Sequence, residues 1–238
     1  MGTKKTRKQI AKEKERLAVI TDGCNPELVE GADFDGQLEI PIIKRPEKIL
    51  IPKGIVPFSK MDRVVPEKFA VCEYENDREF ADLLRYTDNY VKELKNYQAF
   101  ITPDASLYWD MPLAAQIINK YRNHAIGYYM QKKGIYVIPN VRWGDERTYT
   151  TSVLPEKLAF LGVEKHSIVS IGTYGVVKAS DEKKHFRAGL EAMLETLMPE
   201  AVLVYGSMPK DIFDEYKRYT EFVQYPDWTT YVRNEDNG

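Results

Sequence analysis

The sequence predicts an α/β fold with a mainly parallel sheet. Short apolar runs alternate with amphipathic helical stretches, most of them near thirty residues apart, and each run ends in polar and aromatic residues. That spacing suits strand–helix–strand units. Runs that are apolar throughout suit strands buried on both faces. About six such units are read from residue 67 onward. They form either an open sheet or an irregular barrel, and the barrel is slightly favoured because every strand ends in the same kind of residue.

Residues 1–18 read as a basic arm. Residues 1–16 carry seven Lys or Arg against Glu13 and Glu15, a net +5, so the remainder of a chain of net charge −2 carries −7. Such an arm, over residues 4–16, can touch nucleic acid, or it can be a solvated terminus. Residues 19–238 read as one α/β domain, the expectation for a chain of 238 residues with 43% hydrophobic composition. Within it, residues 22–66 form an irregular Pro-rich N-terminal layer. Pro26, Pro41, Pro46, Pro52 and Pro57 oppose helix, while residues 38–43 and 49–51 could run as edge strands.

From residue 67 the order becomes regular. Strands are expected at 69–72, 99–102, 135–139, 167–171, 201–204 and 222–223. A helix is expected after Asn76, because Phe80, Leu83, Leu84, Tyr90, Val91 and Leu94 share one helical face. A second covers 111–132, with Leu113, Ile117 and Tyr121 on one side and Gly134 as its stop. A third covers 181–197, where Phe186, Leu190, Met193, Leu194 and Leu197 make the buried stripe before Pro199. A short helix follows Pro209.

In parallel α/β folds ligands bind at the carboxyl ends of the strands. Asp104, Asn140 and Arg142 are the candidate catalytic residues there. Asp104 would act as general base or metal ligand, Arg142 as phosphate contact. Glu73, Tyr108, Trp143, Asp145, Thr173, Tyr174, Tyr205 and Ser207 are the candidate ligand-binding residues, with Trp143 or Tyr174 as a stacking platform. Asp104, Asn140, Arg142 and Tyr174 are expected to share one pocket, and Asp104→Asn is expected to spare folding. Any single one of these residues also has a plain structural explanation, Asp104 as a turn residue and tryptophan as a sheet cover. Their occurrence at the end of every strand is the stronger signal.

Several chemistries lack their marks. There is no Walker loop, GxGxxG, GxSxG, HExxH or CxxC. Cys24 and Cys72 stand far apart, and His124, His166 and His185 share no ligand spacing. Reduced thiols and the absence of a long apolar run lead to the expectation of a cytoplasmic protein with no membrane span. Mg2+ is the cofactor that Glu73, Glu75, Asp104 and Asp145 would suit, although they come from different units.

The stretches Thr102-Pro103-Asp104-Ala105-Ser106-Leu107-Tyr108, Met111-Pro112, Ile138-Pro139-Asn140-Val141-Arg142-Trp143 and Val204-Tyr205-Gly206-Ser207, in that order, resemble an uncharacterised family. It is a domain-of-unknown-function family found in phages, plasmids and conjugative elements of Gram-positive bacteria, and the resemblance spans roughly residues 45–225. It implies a mobile-element setting and transfers no catalytic residue. The first functional expectation is therefore a protein acting on or binding nucleic acid or nucleotides at the sheet's carboxyl edge. The alternatives are a non-catalytic accessory or host-interaction protein, which the acidic body favours, and a carbohydrate-active hydrolase using two carboxylates.

Overall fold

The structure is a computed structural model that describes residues 25–173 and 180–236. The basic arm and Tyr174 lie outside the described residues. A small antiparallel hairpin comes first, β1 (Phe34–Asp35) with β2 (Ile40–Pro41). Four parallel strands follow in chain order: β3 (Gly54–Pro57), β4 (Phe69–Cys72), β5 (Ala99–Ile101) and β6 (Val137–Ile138). A second parallel sheet contains β7 (Ile168–Gly172), β8 (Ala201–Tyr205) and β9 (Glu221–Tyr225).

The two sheets are continuous at one point. Asn140 pairs with Ser170 in a parallel bridge, where the Val141 N–H donates to the Ser170 carbonyl and the Ser170 N–H to the Pro139 carbonyl, both at 2.8 Å. Seven parallel strands thus stand in sequence order. The expected run of about six gains a member at its start, because β3 comes from the Pro-rich layer.

The sheet curls. Ile55, Cys72, Ile101, Ile138, Ile168, Leu203 and Tyr225, one from each of the seven strands, belong to a single buried cluster. No flat sheet brings its first and last strands into one core. Alternate residues point outward. Val71, Phe100 and Val137 meet one helical layer; Val169, Val202 and Val204 meet another. The result is the irregular barrel. Its seam lies between β3 and β9, which do not pair. There the Tyr225 hydroxyl donates to the Pro52 carbonyl at 2.6 Å.

The helices depart from expectation in two places. The helix read after Asn76 is broken into Ala81–Arg85 and Val91–Leu94, with a 3-10 turn Thr87–Tyr90 between them. The Thr87 hydroxyl donates back to the Leu83 carbonyl at 2.8 Å, taking an acceptor that a continuing helix would use. Asn76 makes a local turn, accepting from the Arg78 N–H at 3.1 Å, and does not cap. Phe80, Leu83 and Leu94 still reach the core.

The helix Leu113–Lys132 forms as expected, with Gly134 in the left-handed region just beyond. Beside the apolar Ala125, Ile126 and Met130, however, it buries five polar residues: Gln116, Asn119, Lys120, Asn123 and His124. These residues serve irregular backbone that no ladder satisfies. Gln116 donates to the Met111 carbonyl (2.9 Å), Asn119 to Ser106 (2.7 Å) and Lys120 to Ala159 (2.9 Å). Asn123 accepts from the Ala105 N–H (3.1 Å), and His124 Nδ1 lies 3.1 Å from the Pro41 carbonyl. Burial pulls Lys120 down to about 7 and His124 well below its ordinary value. The helix Ser180–Leu197 buries the expected stripe. The helix Trp228–Asp236 has no counterpart in the sequence reading.

Candidate functional site

The carboxyl ends of β4, β5, β6 and β7 meet in a hydrogen-bonded chain. Ser170 Oγ and the Tyr74 hydroxyl lie 2.8 Å apart. Tyr74 donates to Asn140 Oδ1 at 3.0 Å, and Asn140 Nδ2 donates to Asp104 Oδ1 at 2.7 Å. Arg142 Nη1 donates to Asp104 Oδ2 at 2.5 Å. The local backbone fixes each member. The Asn140 N–H donates to Thr102 Oγ1 at 2.8 Å, and Ala105, next to Asp104, is held by Asn123. Tyr74 stacks on Tyr205, ring centroids 5.1 Å apart, and leaves Gly172 no room for a side chain.

Burial raises the Asp104 carboxyl, and Arg142 and Asn140 oppose that rise without cancelling it. Glu73 is more extreme. It is 1% exposed, and neither carboxylate oxygen has a partner among the described residues. Burial, with Glu75 and Asp104 nearby, pushes its carboxyl well above the ordinary range.

Beside this chain lies an open pocket of about 160 Å3. Leu107, Tyr108 and Trp109 line it from beyond β5, Val141–Gly144 from beyond β6, Ile171 and Gly172 from β7, and His185 and Phe186 from the helix Ser180–Leu197. Trp143 forms a buried wall, wedged against Gly189, where a Cβ would clash with the indole. Tyr108 and Trp109 are exposed at the rim. The Arg142 guanidinium sits 5.6 Å from the Tyr108 ring centre. Its Nε reaches toward the Leu107 carbonyl (3.5 Å), which leaves Nη2 unpartnered among the described residues. His185 Nδ1 lies 3.3 Å from the Tyr149 hydroxyl, which leaves Nε2 unpartnered among them as well. None of the described lining residues is acidic.

The expected convergence is thus partial. Asp104, Asn140 and Arg142 do meet, but only Arg142 lines the pocket. Each Asp104 oxygen accepts a hydrogen bond, from Asn140 and from Arg142, so its carboxylate orients both side chains. Asp104→Asn would turn an amide donor toward one of two donors, so the expectation that it spares folding is reversed.

Asp145 also serves local structure: it accepts from the Arg147 N–H at the start of the helix Glu146–Tyr149 and pairs with the Arg147 side chain. Thr173 is buried and donates to the Ser207 carbonyl at 2.6 Å. Tyr205 lies inside the barrel, its hydroxyl accepting from the Trp228 N–H at 2.9 Å. Ser207 is exposed but does not line the pocket. Among the described residues, no three His, Cys, Asp or Glu converge as a metal site, so the Mg2+ ligands named above are not brought together. No helix among those residues is long and apolar enough to cross a membrane.

Sequence reasoning missed Tyr74, Ser170 and His185. Strand alternation from Cys72 would have placed Tyr74 on the inner face. His185 carries no such signal, because its place depends on how its helix crosses the sheet.

Relatives were found by sequence. The chain is 31% identical over 133 residues to the Gene 1 protein of Mycobacterium phage L5, covering 56% of this chain and 55% of that protein. It is 30% identical over 133 residues to the Gene 1 protein of Mycobacterium phage D29, covering 56% and 47%. The chain spans about half the length of these curated relatives. No solved structure matches. The family model for a domain of unknown function, DUF4417, matches residues 32–226, which takes in the whole run from β2 to β9 and every residue of the hydrogen-bonded chain. The phage setting and the motif order agree with that match, and the protein belongs to the DUF4417 family.

Proposed function

We propose that this phage-related protein binds a nucleotide or an exposed base of a nucleic acid in the pocket at the barrel's carboxyl end. One observation carries the reading: a fixed arginine has an edge unpartnered among the described residues beside an aromatic pocket whose described lining has no carboxylate. Guanidinium donors suit a phosphate, and aromatic walls suit the face of a base. Asp104 prepares Arg142 by holding it from behind, which lowers the ordering cost of binding.

Binding without chemistry fits better than catalysis, because Asp104 is paired with Asn140 and Arg142 outside the pocket and no carboxylate lines it among the described residues. The same fact counts against a two-carboxylate hydrolase.

The test is calorimetric titration of the full chain with mononucleotides and with a short single-stranded oligonucleotide, followed in parallel by fluorescence of Trp109 and Trp143. Binding is expected, with affinity falling by at least about tenfold in Arg142→Gln, in line with the loss of a charged hydrogen bond. No binding, or equal binding by the variant, overturns the reading.

A further inference from the structure

The amino end of the barrel, opposite the pocket, carries a pattern of its own. The seven strands β3 to β9 run parallel, so the residues just before each of them lie on one rim. The four residues that precede each strand hold, together, seven Lys or Arg against three Glu, a net of +4 on a body that is otherwise acidic. Of those three acids, Glu164 and Glu200 are already paired with Lys44 and Arg45. Lys53, Lys68, Lys95, Lys165 and Arg218 are exposed and make no ion pair among the described residues. They lead into five different strands, β3, β4, β5, β7 and β9.

The same short stretches present apolar side chains to solvent. Nine large apolar side chains are exposed among the described residues, and four of them, Ile51, Val65, Met198 and Tyr219, lie within four residues of a strand's amino end. Hydrogen bonds tie neighbouring stretches to one another. The Lys53 N–H donates to the Lys68 carbonyl at 2.9 Å, the Gln98 N–H to the Pro66 carbonyl at 3.2 Å and the Thr220 hydroxyl to the Pro199 carbonyl at 2.7 Å. Arg218 Nη2 donates to the Tyr219 hydroxyl at 2.7 Å, with the guanidinium 4.7 Å from the ring centre, so a cation and an aromatic ring are presented together.

We infer that this rim docks on the surface of a membrane containing anionic lipid. Cations spread around one end of a barrel meet the head groups of a single plane together, and the surface potential of anionic lipid attracts each of them. Aliphatic side chains beside those cations gain by entering the head-group layer, and tyrosine suits the same boundary. A nucleic-acid backbone offers the cations similar phosphates but gives Ile51, Val65 and Met198 no apolar partner, so the observations favour lipid. The inference stands apart from the ligand read at the carboxyl end. Docking by the amino end leaves that pocket facing away from the membrane.

The test is co-sedimentation of the full chain with vesicles of phosphatidylcholine alone and of phosphatidylcholine mixed with phosphatidylglycerol, at low and high salt. Binding to the anionic vesicles alone, weakened by salt, is expected. Residues 1–16 are also basic, so the rim is read from variants that keep them. Lys53→Glu with Lys68→Glu is expected to lower the affinity by at least about tenfold. Val65→Ser with Met198→Ser, which leaves the charge unchanged, is expected to lower it by at least about threefold. All four side chains are exposed, and melting curves check that both variants fold. If one pair does not fold, the other decides. Absence of binding to the anionic vesicles, or unchanged affinity in either folded variant, overturns the inference. Duplex DNA that binds more tightly than the vesicles, and is lost with Lys53→Glu and Lys68→Glu, reassigns the rim to nucleic acid and overturns it as well.

Discussion

The carboxyl end of this barrel has two halves built from similar residues and used differently. On the β4–β5 side, Glu73, Tyr74 and Asp104 are buried or half-buried and turned into the protein. On the β6–β7 side, Arg142, Trp143 and His185 border an open pocket. The residue types at the strand ends are much alike; what differs is whether each polar group has already found a protein partner. Asn140 is satisfied by Tyr74 and Asp104. Arg142 is only half satisfied among the described residues and has an edge without a partner there. A ring of polar residues at strand ends therefore marks a region, and the unspent donors within it mark the site.

Four substitutions separate the halves. The largest effect is expected on the sealed side. Asp104→Asn places an amide donor against the donor of either Asn140 or Arg142 and removes the charge that pairs Arg142, and should lower unfolding free energy by about 2–3 kcal/mol. Denaturant titration measures this. A loss below about 0.5 kcal/mol, within the range of an ordinary surface change, would show that the network does not hold this half together.

The next effect depends on pH. The Glu73 carboxyl is raised in the folded protein, so the folded state binds its proton more tightly than the unfolded chain does. Its contribution is therefore fully present below the ordinary value of 4.5 and is lost as pH rises above it. Glu73→Gln keeps the shape and cannot ionise. The variant should match the natural protein near that value and exceed it by about 1–2 kcal/mol at alkaline pH, the usual penalty of a buried group without a partner. Parallel melting curves over the pH range test it. A constant difference between the two proteins would mean that Glu73 does not titrate in that range.

The smallest effect belongs to the open side. Tyr108 and Trp109 are 51% and 57% exposed. Replacing either with Ala should change stability by no more than about 0.5 kcal/mol. Thermal melting reads this directly, and a larger loss would make the rim a structural cover.

The same contrast explains what the sequence could reveal. β4, β5, β7 and β8 are apolar runs bounded by polar turns, and their positions were legible to within a residue. β3 was not, because Gly54-Ile55-Val56-Pro57 ends in proline and sits among others. Proline is tolerated there because β3 is the first strand at the seam. The polar face of the helix Leu113–Lys132 was hidden for a different reason. Gln116, Asn119, Lys120, Asn123 and His124 recur at helical spacing, which ordinarily marks the solvent side. Only the loops packed against it reveal the demand for buried donors. In the site, the meeting of Asp104, Asn140 and Arg142 follows from parallel strands ending at one level. Which of them stays accessible depends on side-chain pairing, and pairing leaves no trace in spacing.

The order of the strands has a consequence for how the molecule is made. Each parallel strand lies against the one synthesised just before it. Paired residues are as close as Gly54 and Phe69 and no farther apart than Phe100 and Val137. Each of the strands β4 to β9 therefore finds its ladder partner already outside as it leaves the ribosome. Assembly can advance in the direction of translation, one strand and its covering helix at a time, and the loop to be closed at each step stays short. The seam between β3 and β9 is where that growth stops: the last strand arrives to find the first already folded, and meets it through the Tyr225 hydroxyl with no backbone ladder.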